Sequence, residues 1–198
     1  LQYLTHYSEA QDIEPPQNWF YYFLTGMGPA RKVVAKPYGL ALHDSKLFVC
    51  DTILNTIEIF DFQARRFDYF TSHGAGKLGK PINMAVDEDG TCYVADGLRG
   101  EVLVYAQTNH YVGTVGEDMK PVDVLVSSNR LYVADMKNRQ VRVFDKTTRA
   151  LLLTIPKEPK DASEDLFGPS NLALDSEGHL HVADSKAFES CRPTRSRH

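Results

Sequence analysis

Cysteine is scarce in this chain: Cys50, Cys92 and Cys191 are its three, and none falls in a CxxC or Cys/His ligand spacing. Cys50 stands where Ala95, Ala134 and Ala183 stand in related segments, so it is read as a small buried residue rather than a redox group. Charge of one sign is also lacking. A net charge of −4 and a pI near 6.0 give no electrostatic reason to expect a nucleic-acid or anionic-membrane partner. No apolar run approaches the roughly 20 residues of a membrane-spanning helix; the longest aromatic run, Trp19 to Leu24, is only strand-length. The first residue is Leu1 and no signal peptide is present, which says nothing about compartment. GxSxG and HExxH signatures are missing as well.

What the chain does contain is a repeat. Four segments align: KPYGLALHDSKLFVCD (36–51), KPINMAVDEDGTCYVAD (80–96), KPVDVLVSSNRLYVAD (120–135) and GPSNLALDSEGHLHVAD (168–184). Their prolines, Pro37, Pro81, Pro121 and Pro169, are 44, 40 and 48 residues apart. Their closing aspartates, Asp51, Asp96, Asp135 and Asp184, are 45, 39 and 49 apart. Two independent markers agree.

Each copy predicts four strands. Proline opens the first, where its missing N–H breaks no ladder bond. A short apolar strand follows (Leu40-Ala41-Leu42 and counterparts), then a polar turn such as Glu88-Asp89-Gly90. A second strand ends at the aspartate. A third alternates cleanly, as in Ile57-Glu58-Ile59-Phe60 or Val141-Arg142-Val143-Phe144. A fourth is expected at Arg66–Phe70, Tyr111–Val115 and Leu151–Ile155. Four strands per 40 to 50 residues, without a helical pattern, predict an all-β fold, a β-propeller of four-stranded antiparallel blades.

On these residues the chain resembles the NHL-repeat family. The family's succession of Pro, small apolar strand, Tyr-Val-Ala-Asp and Asn-Arg-x-Val-x-Val-Phe-Asp is met almost letter for letter by 121–145, and the likeness covers 36–185. The resemblance implies six blades, which at this spacing need about 264 residues. About three and a half are present: 36–79, 80–119, 120–167 and a partial copy at 168–185. Residues 1–35 form an N-terminal segment in which Leu1–Leu4 suggests a ring-closing strand. Residues 186–198 form a tail without alternation. A shifted reading frame across Ala187–Arg192 would encode Ile-Arg-Val-Leu-Gln, the missing third strand, so the chain is expected to be a truncated or frame-shifted piece with exposed edges. The start of the chain, with Asp12-Ile13-Glu14, is similar to bacterial NHL-repeat proteins exported as periplasmic lipoproteins, which implies an extracytoplasmic location.

Candidate chemistry is sparse. Gly74–Lys80 contains a literal GxGxxG and a near miss to a phosphate-binding loop, but Pro81 follows where Ser or Thr is needed, so a flexible connection between blades is expected. The fourfold aspartate is read as an acceptor for backbone N–H groups. His179 and His181 form an HxH, and His181, standing where Phe48, Tyr93 and Tyr132 stand, is expected to be a packed ring. Two residues after each proline lie Gly39, Asn83, Asp123 and Asn171, predicted near one mouth of a central channel. Asn83, Asp123 and Asn171 are candidate ligands for Ca²⁺. That arrangement resembles the metal site of the SMP-30/gluconolactonase and paraoxonase lactonases, which implies a metal-dependent hydrolase as the alternative function. A lyase of the peptidylglycine-amidating type would need histidine ligands that these positions lack. The leading expectation is a rigid binding scaffold without a cofactor, whose partner is a protein or a carbohydrate.

Overall fold

A computed structural model describes residues 6–15, 32–70, 72–157 and 165–185. Three four-stranded antiparallel sheets and one two-stranded sheet follow in chain order, each a simple meander. The first blade comprises β1 (Pro37–His43), β2 (Lys46–Asp51), β3 (Thr56–Asp61) and β4 (Arg66–Tyr69). The second comprises β5 (Pro81–Val86), β6 (Cys92–Asp96), β7 (Glu101–Tyr105) and β8 (Tyr111–Val115). The third comprises β9 (Pro121–Ser127), β10 (Arg130–Asp135), β11 (Gln140–Asp145) and β12 (Leu151–Ile155). A half-blade, β13 (Pro169–Leu174) and β14 (Leu180–Asp184), ends the series. Each proline begins an inner strand, and β1, β5, β9 and β13 touch one another in sequence around a common axis. The molecule is a partial β-propeller.

The blades hold together through both faces of each sheet, which explains the near-continuous apolar character of β7. Leu103 and Tyr105 pack toward the first blade with Ile57, Phe48 and Phe70, the Phe70 and Tyr105 rings meeting edge-on at 4.7 Å. Val102 and Val104, pointing the other way, pack toward the third blade with Val124, Leu131 and Phe144. Alternation here sorts residues between two neighbours rather than between core and water. Cys50 and Cys92 are buried free thiols within the first of these interfaces. Burial, reinforced by nearby carboxylates, pushes the Cys50 thiol up, and burial raises Cys92 to about 11. They pack as small apolar groups.

Tight turns repeat as well. The last residue of each β2–β3-type turn, Asn55, Gly100 or Arg139, has positive φ, as does the last residue of the next turn, Arg65, Asn109 or Arg149. Turn geometry, more than residue type, is what repeats.

Two surfaces depart from this scheme. The outward face of the first blade, Val49, Phe60 and Phe67, is covered by Ala10 and Ile13 of the N-terminal segment. At the other end, Leu153 and Ile155 lie level with Val143 and Val141 and so continue the face that meets the half-blade, yet they are exposed together with Leu151 and Leu152. Such an apolar stripe on an outer strand invites self-association. Leu153→Lys is expected to leave stability within about 0.5 kcal/mol and to shift sedimentation at high protein concentration toward monomer; unchanged self-association would show that another surface is responsible. The strand expected at Leu1–Leu4, the aromatic cluster at 19–23 and the tail 186–198 lie outside the described residues.

Candidate functional site: the channel mouth and its flanking groove

Each inner strand starts beside the end of the next strand in its blade, so Pro37 pairs with Asp51, Pro81 with Asp96 and Pro121 with Asp135. The mouth of the channel, the closing aspartates and the turns leading to the third strands therefore share one face. The aspartates organise it. Asp51 is fully buried and accepts four backbone N–H bonds: from Ala35 and Lys36 at 2.6 and 2.7 Å, and from Ile53 and Leu54, both at 2.8 Å. Asp96 does the same for Gly79, Lys80, Leu98 and Arg99, at 2.6 to 3.1 Å. Asp135 takes Lys120, Lys137 and Asn138 and also pairs with Arg142 Nε at 3.0 Å. Asp184 takes Phe167 and Gly168, both at 2.7 Å. In the three complete blades one carboxylate thus ties the incoming connection to the outgoing turn.

Burial alone would raise the Asp51 carboxyl, but the N–H groups of Leu54, Lys36, Ile53 and Ala35 outweigh it and hold it below the usual carboxylate range. A depressed acid stabilises the fold at pH above its unfolded value, about 3.9, and loses that contribution as pH falls through the lower folded value. Acid unfolding with a midpoint below pH 4 that moves upward in Asp51→Asn is expected from circular dichroism.

The candidate ligands sit on the axial side. Asn83 and Asp123 are brought together, Asn83 Nδ2 donating to Asp123 Oδ1 at 2.6 Å. Asp123 Oδ1 also accepts the Val124 N–H at 2.9 Å, and Oδ2 accepts the Leu172 N–H of the half-blade at 2.7 Å. Burial pushes the Asp123 carboxyl up, against the pull of the Leu172, Val124 and Asn83 donors. Asn171 is exposed on β13. Gly39 is bare because its neighbour occupies the room: a Cβ there would lie 2.3 Å from Asn83 Oδ1, 2.5 Å from Asn83 Cα and 2.6 Å from the Ile82 carbonyl. The four positions form a belt from blade to blade.

This belt does not fit calcium as arranged. Calcium takes roughly six to eight oxygens, whereas Asn83 turns its nitrogen to Asp123 and its oxygen to the Met84 N–H. Asp123 already holds three donors. Among the described residues no group of three or more His, Cys, Asp or Glu side chains could hold a metal ion. Millimolar calcium is accordingly expected to leave the melting temperature of the chain unchanged. A rise would show that these side chains rearrange into a cation site, because a ligand of the native state stabilises it.

Beside the mouth, the turns fixed by Asp51 and Asp96 present Ile53, Leu54 and Leu98 to solvent, 61%, 43% and 73% exposed. Leu54 and Leu98 border a groove of about 740 Å³ between the first and second blades, with Phe70, His73, Lys77 and Arg99 in its lining. The glycine-rich connection forms one wall and is pinned rather than loose. Arg99 Nη1 donates to the Ala75 and Lys77 carbonyls at 2.6 and 3.0 Å, and Tyr105 Oη donates to the Gly76 carbonyl at 2.5 Å. His181 also departs from expectation. It is exposed and sits 3.2 Å from Asp175, which His179 contacts at 3.0 Å. In the complete blades the matching ring packs on the following blade; among the described residues nothing follows the half-blade.

No protein-family model matches the chain, and no curated protein matches it. Solved structures do. Virginiamycin B lyase from Staphylococcus aureus is 14% identical with a TM-score of 0.59, over 75% of this chain and 49% of that one. The extracellular domain of a hybrid two-component system from B. thetaiotaomicron is 14% identical with a TM-score of 0.57, over 79% and 21%. A chain of the nidogen/laminin complex is 17% identical with a TM-score of 0.53, over 64% and 51%. The chain spans between about a fifth and a half of the length of these proteins. At such identities the likeness establishes the β-propeller fold and nothing finer.

Proposed function

We propose that this chain is part of an NHL-type, six-bladed propeller that works outside the cytoplasm as a rigid scaffold, binding a protein partner at the face beside the channel mouth. The observation that carries the reading is the trio Ile53, Leu54 and Leu98, apolar side chains held out to solvent by buried carboxylate ties, Leu54 and Leu98 at the rim of a groove. Exposed apolar residues rimmed by polar ones mark interaction sites more than isolated ones do. A carboxylate tie fixes the loop before binding, which lowers the ordering cost of association. The NHL assignment is supported by the four-copy sequence pattern, and its six blades follow from that assignment. Two of the similar structures bear on setting and partner, one being an extracellular domain and one a protein complex. No described helix is long and apolar enough to cross a membrane.

Peptides selected from a displayed library on the chain test the proposal. Binders are expected to lose at least about tenfold in affinity, or about 1.4 kcal/mol, on Leu54→Asp or Leu98→Asp, and to tolerate Leu153→Lys. Binders indifferent to both aspartate variants would contradict it, and retention on a glycan array with no peptide binding would favour a carbohydrate instead.

A further inference from the structure

In each of the three complete blades, seven residues after the closing aspartate, the third strand places a side chain on the face turned toward the preceding blade. In the third blade that residue is Arg142, which neutralises Asp135 at 3.0 Å. In the second it is Leu103, fully buried in the interface. In the first it is Glu58, and here the chemistry is reversed: an acid lies near the already ionised Asp51. Glu58 is 0% exposed, and among the described residues neither carboxyl oxygen has a hydrogen-bond partner in another residue.

The side chain lies on the face shared with Phe60, two positions along β3, which the N-terminal segment covers. Residues 6–15 and 32–34 form this cap, joined to each other by bonds from Ala10 N–H to Lys32 O and from Val34 N–H to Ser8 O. It is fastened to β4 at several points. Tyr69 Oη meets the Val33 N–H at 3.1 Å, Lys32 Nζ donates to the Phe67 carbonyl at 2.9 Å, and Glu14 Oε1 accepts the Phe67 N–H at 3.2 Å. Ala10 and Ile13 supply the apolar contact, and the Tyr7 ring meets the Phe60 and Phe62 rings at a tilt.

We propose that Glu58 makes this cap a pH-sensitive cover: it closes over the first blade with Glu58 protonated, and ionisation of Glu58 drives it open. The covered face is the one a preceding blade or a partner would meet, so the cover controls access to it.

The direction follows from linkage. Burial first, then the Asp51 charge, pushes the covered carboxyl up to about 8, whereas a hydrated glutamate titrates near 4.3. Opening therefore releases one proton between those values. The cap is tightest in acid, loosens as pH rises from about 5 to about 8, and levels off above that, when both states are ionised. Other titratable and charged groups around it are Asp51 and Cys50 on β2, Tyr69 on β4, and His6, Asp12, Glu14 and Lys32 on the cap. Glu14 pairs with Lys32 at 3.7 Å. His6, whose charge favours ionised Asp12, needs its own control.

Hydrogen exchange of the Val33 and Phe67 amides, which bond across the boundary between cap and β4, corrected for intrinsic rate, measures the opening constant of the full chain. It is expected to rise roughly tenfold per pH unit between pH 5 and 8 and then to flatten. Glu58→Gln and Glu58→Leu, the second copying the second blade, should abolish the rise and keep the cap closed at pH 8, whereas His6→Gln should keep most of it. Trypsin cleavage after Lys32, normalised to an unfolded substrate, gives an independent readout and should rise with pH in the wild type and in His6→Gln but not in Glu58→Gln or Glu58→Leu. An opening constant flat from pH 5 to 8 in the wild type, or an equal rise in Glu58→Leu, would overturn the proposal.

Discussion

Asp96→Ala is expected to destabilise the chain by about 4 kcal/mol, a large share of the roughly 5–15 kcal/mol that keeps a typical domain folded. The carboxylate is fully buried, and its removal strands four backbone N–H groups at once, those of Gly79, Lys80, Leu98 and Arg99. Each unsatisfied buried donor costs about 1–3 kcal/mol, reduced here because the loops can relax toward water. Asp96→Asn keeps the shape but replaces one acceptor with a donor aimed at other donors, so an intermediate loss of about 2 kcal/mol is expected. Urea unfolding followed by far-ultraviolet circular dichroism measures both. The loss should not stay local: the same residue ties the connection from the first blade to the turn that presents Leu98, so binding at the groove falls with stability. A loss below 1 kcal/mol for the alanine variant would show that the tie is dispensable.

Gly39→Ala is the second large effect. The objection to a side chain is room, not dihedral angle. A single Cβ at this position meets the side chain and backbone of Asn83 and the carbonyl of Ile82, all within 2.6 Å. Backbone cannot yield as a flexible side chain does, so β1 and β5 must part. Overpacking of this kind costs about 3 kcal/mol. The displacement should also disturb Asn83, whose amide reaches Asp123 in the third blade. Gly39→Ala is therefore expected to lower the melting temperature and to broaden the transition, because the first blade uncouples from the others. A variant as cooperative and as stable as the wild type would mean that the inner strands do not approach so closely.

How the chain could be read in advance follows from what repeats. Proline, apolar triplet, turn and aspartate recur at every blade, so the strand starts at Pro37, Pro81, Pro121 and Pro169 and the outer strands at Tyr111–Val115 and Leu151–Ile155 fall where the pattern puts them. The aspartate's role was legible for the same reason: four equivalent carboxylates imply four equivalent structural tasks. Contacts between copies were not legible. Gly39 looks like a gap in the ligand series until Asn83 of the next blade is seen to occupy its space. Asp123 and Asn83 look like oxygen donors awaiting a cation until each is found bonded to the other. Glu58 looks like the outward residue of an alternating strand, yet its face is covered by residues that precede the first repeat. His181 looks, by analogy, like a ring packed on the next blade, and the analogy fails where no described blade follows. Single-copy features depend on neighbours that the periodicity does not encode.

The central claim is that the blades stand side by side around an axis and are fastened there by polar bonds between inner strands. The amide of Leu172 tests it most directly, because its N–H donates across the blade boundary to Asp123 and not to its own sheet. Hydrogen exchange should find this amide protected in the wild-type chain. In Asp123→Ala it should lose that protection while amides inside the third blade, such as Val133 and Val143, retain theirs. A Leu172 amide that exchanges freely in the wild type beside a protected third blade would contradict the radial arrangement and the scaffold built on it.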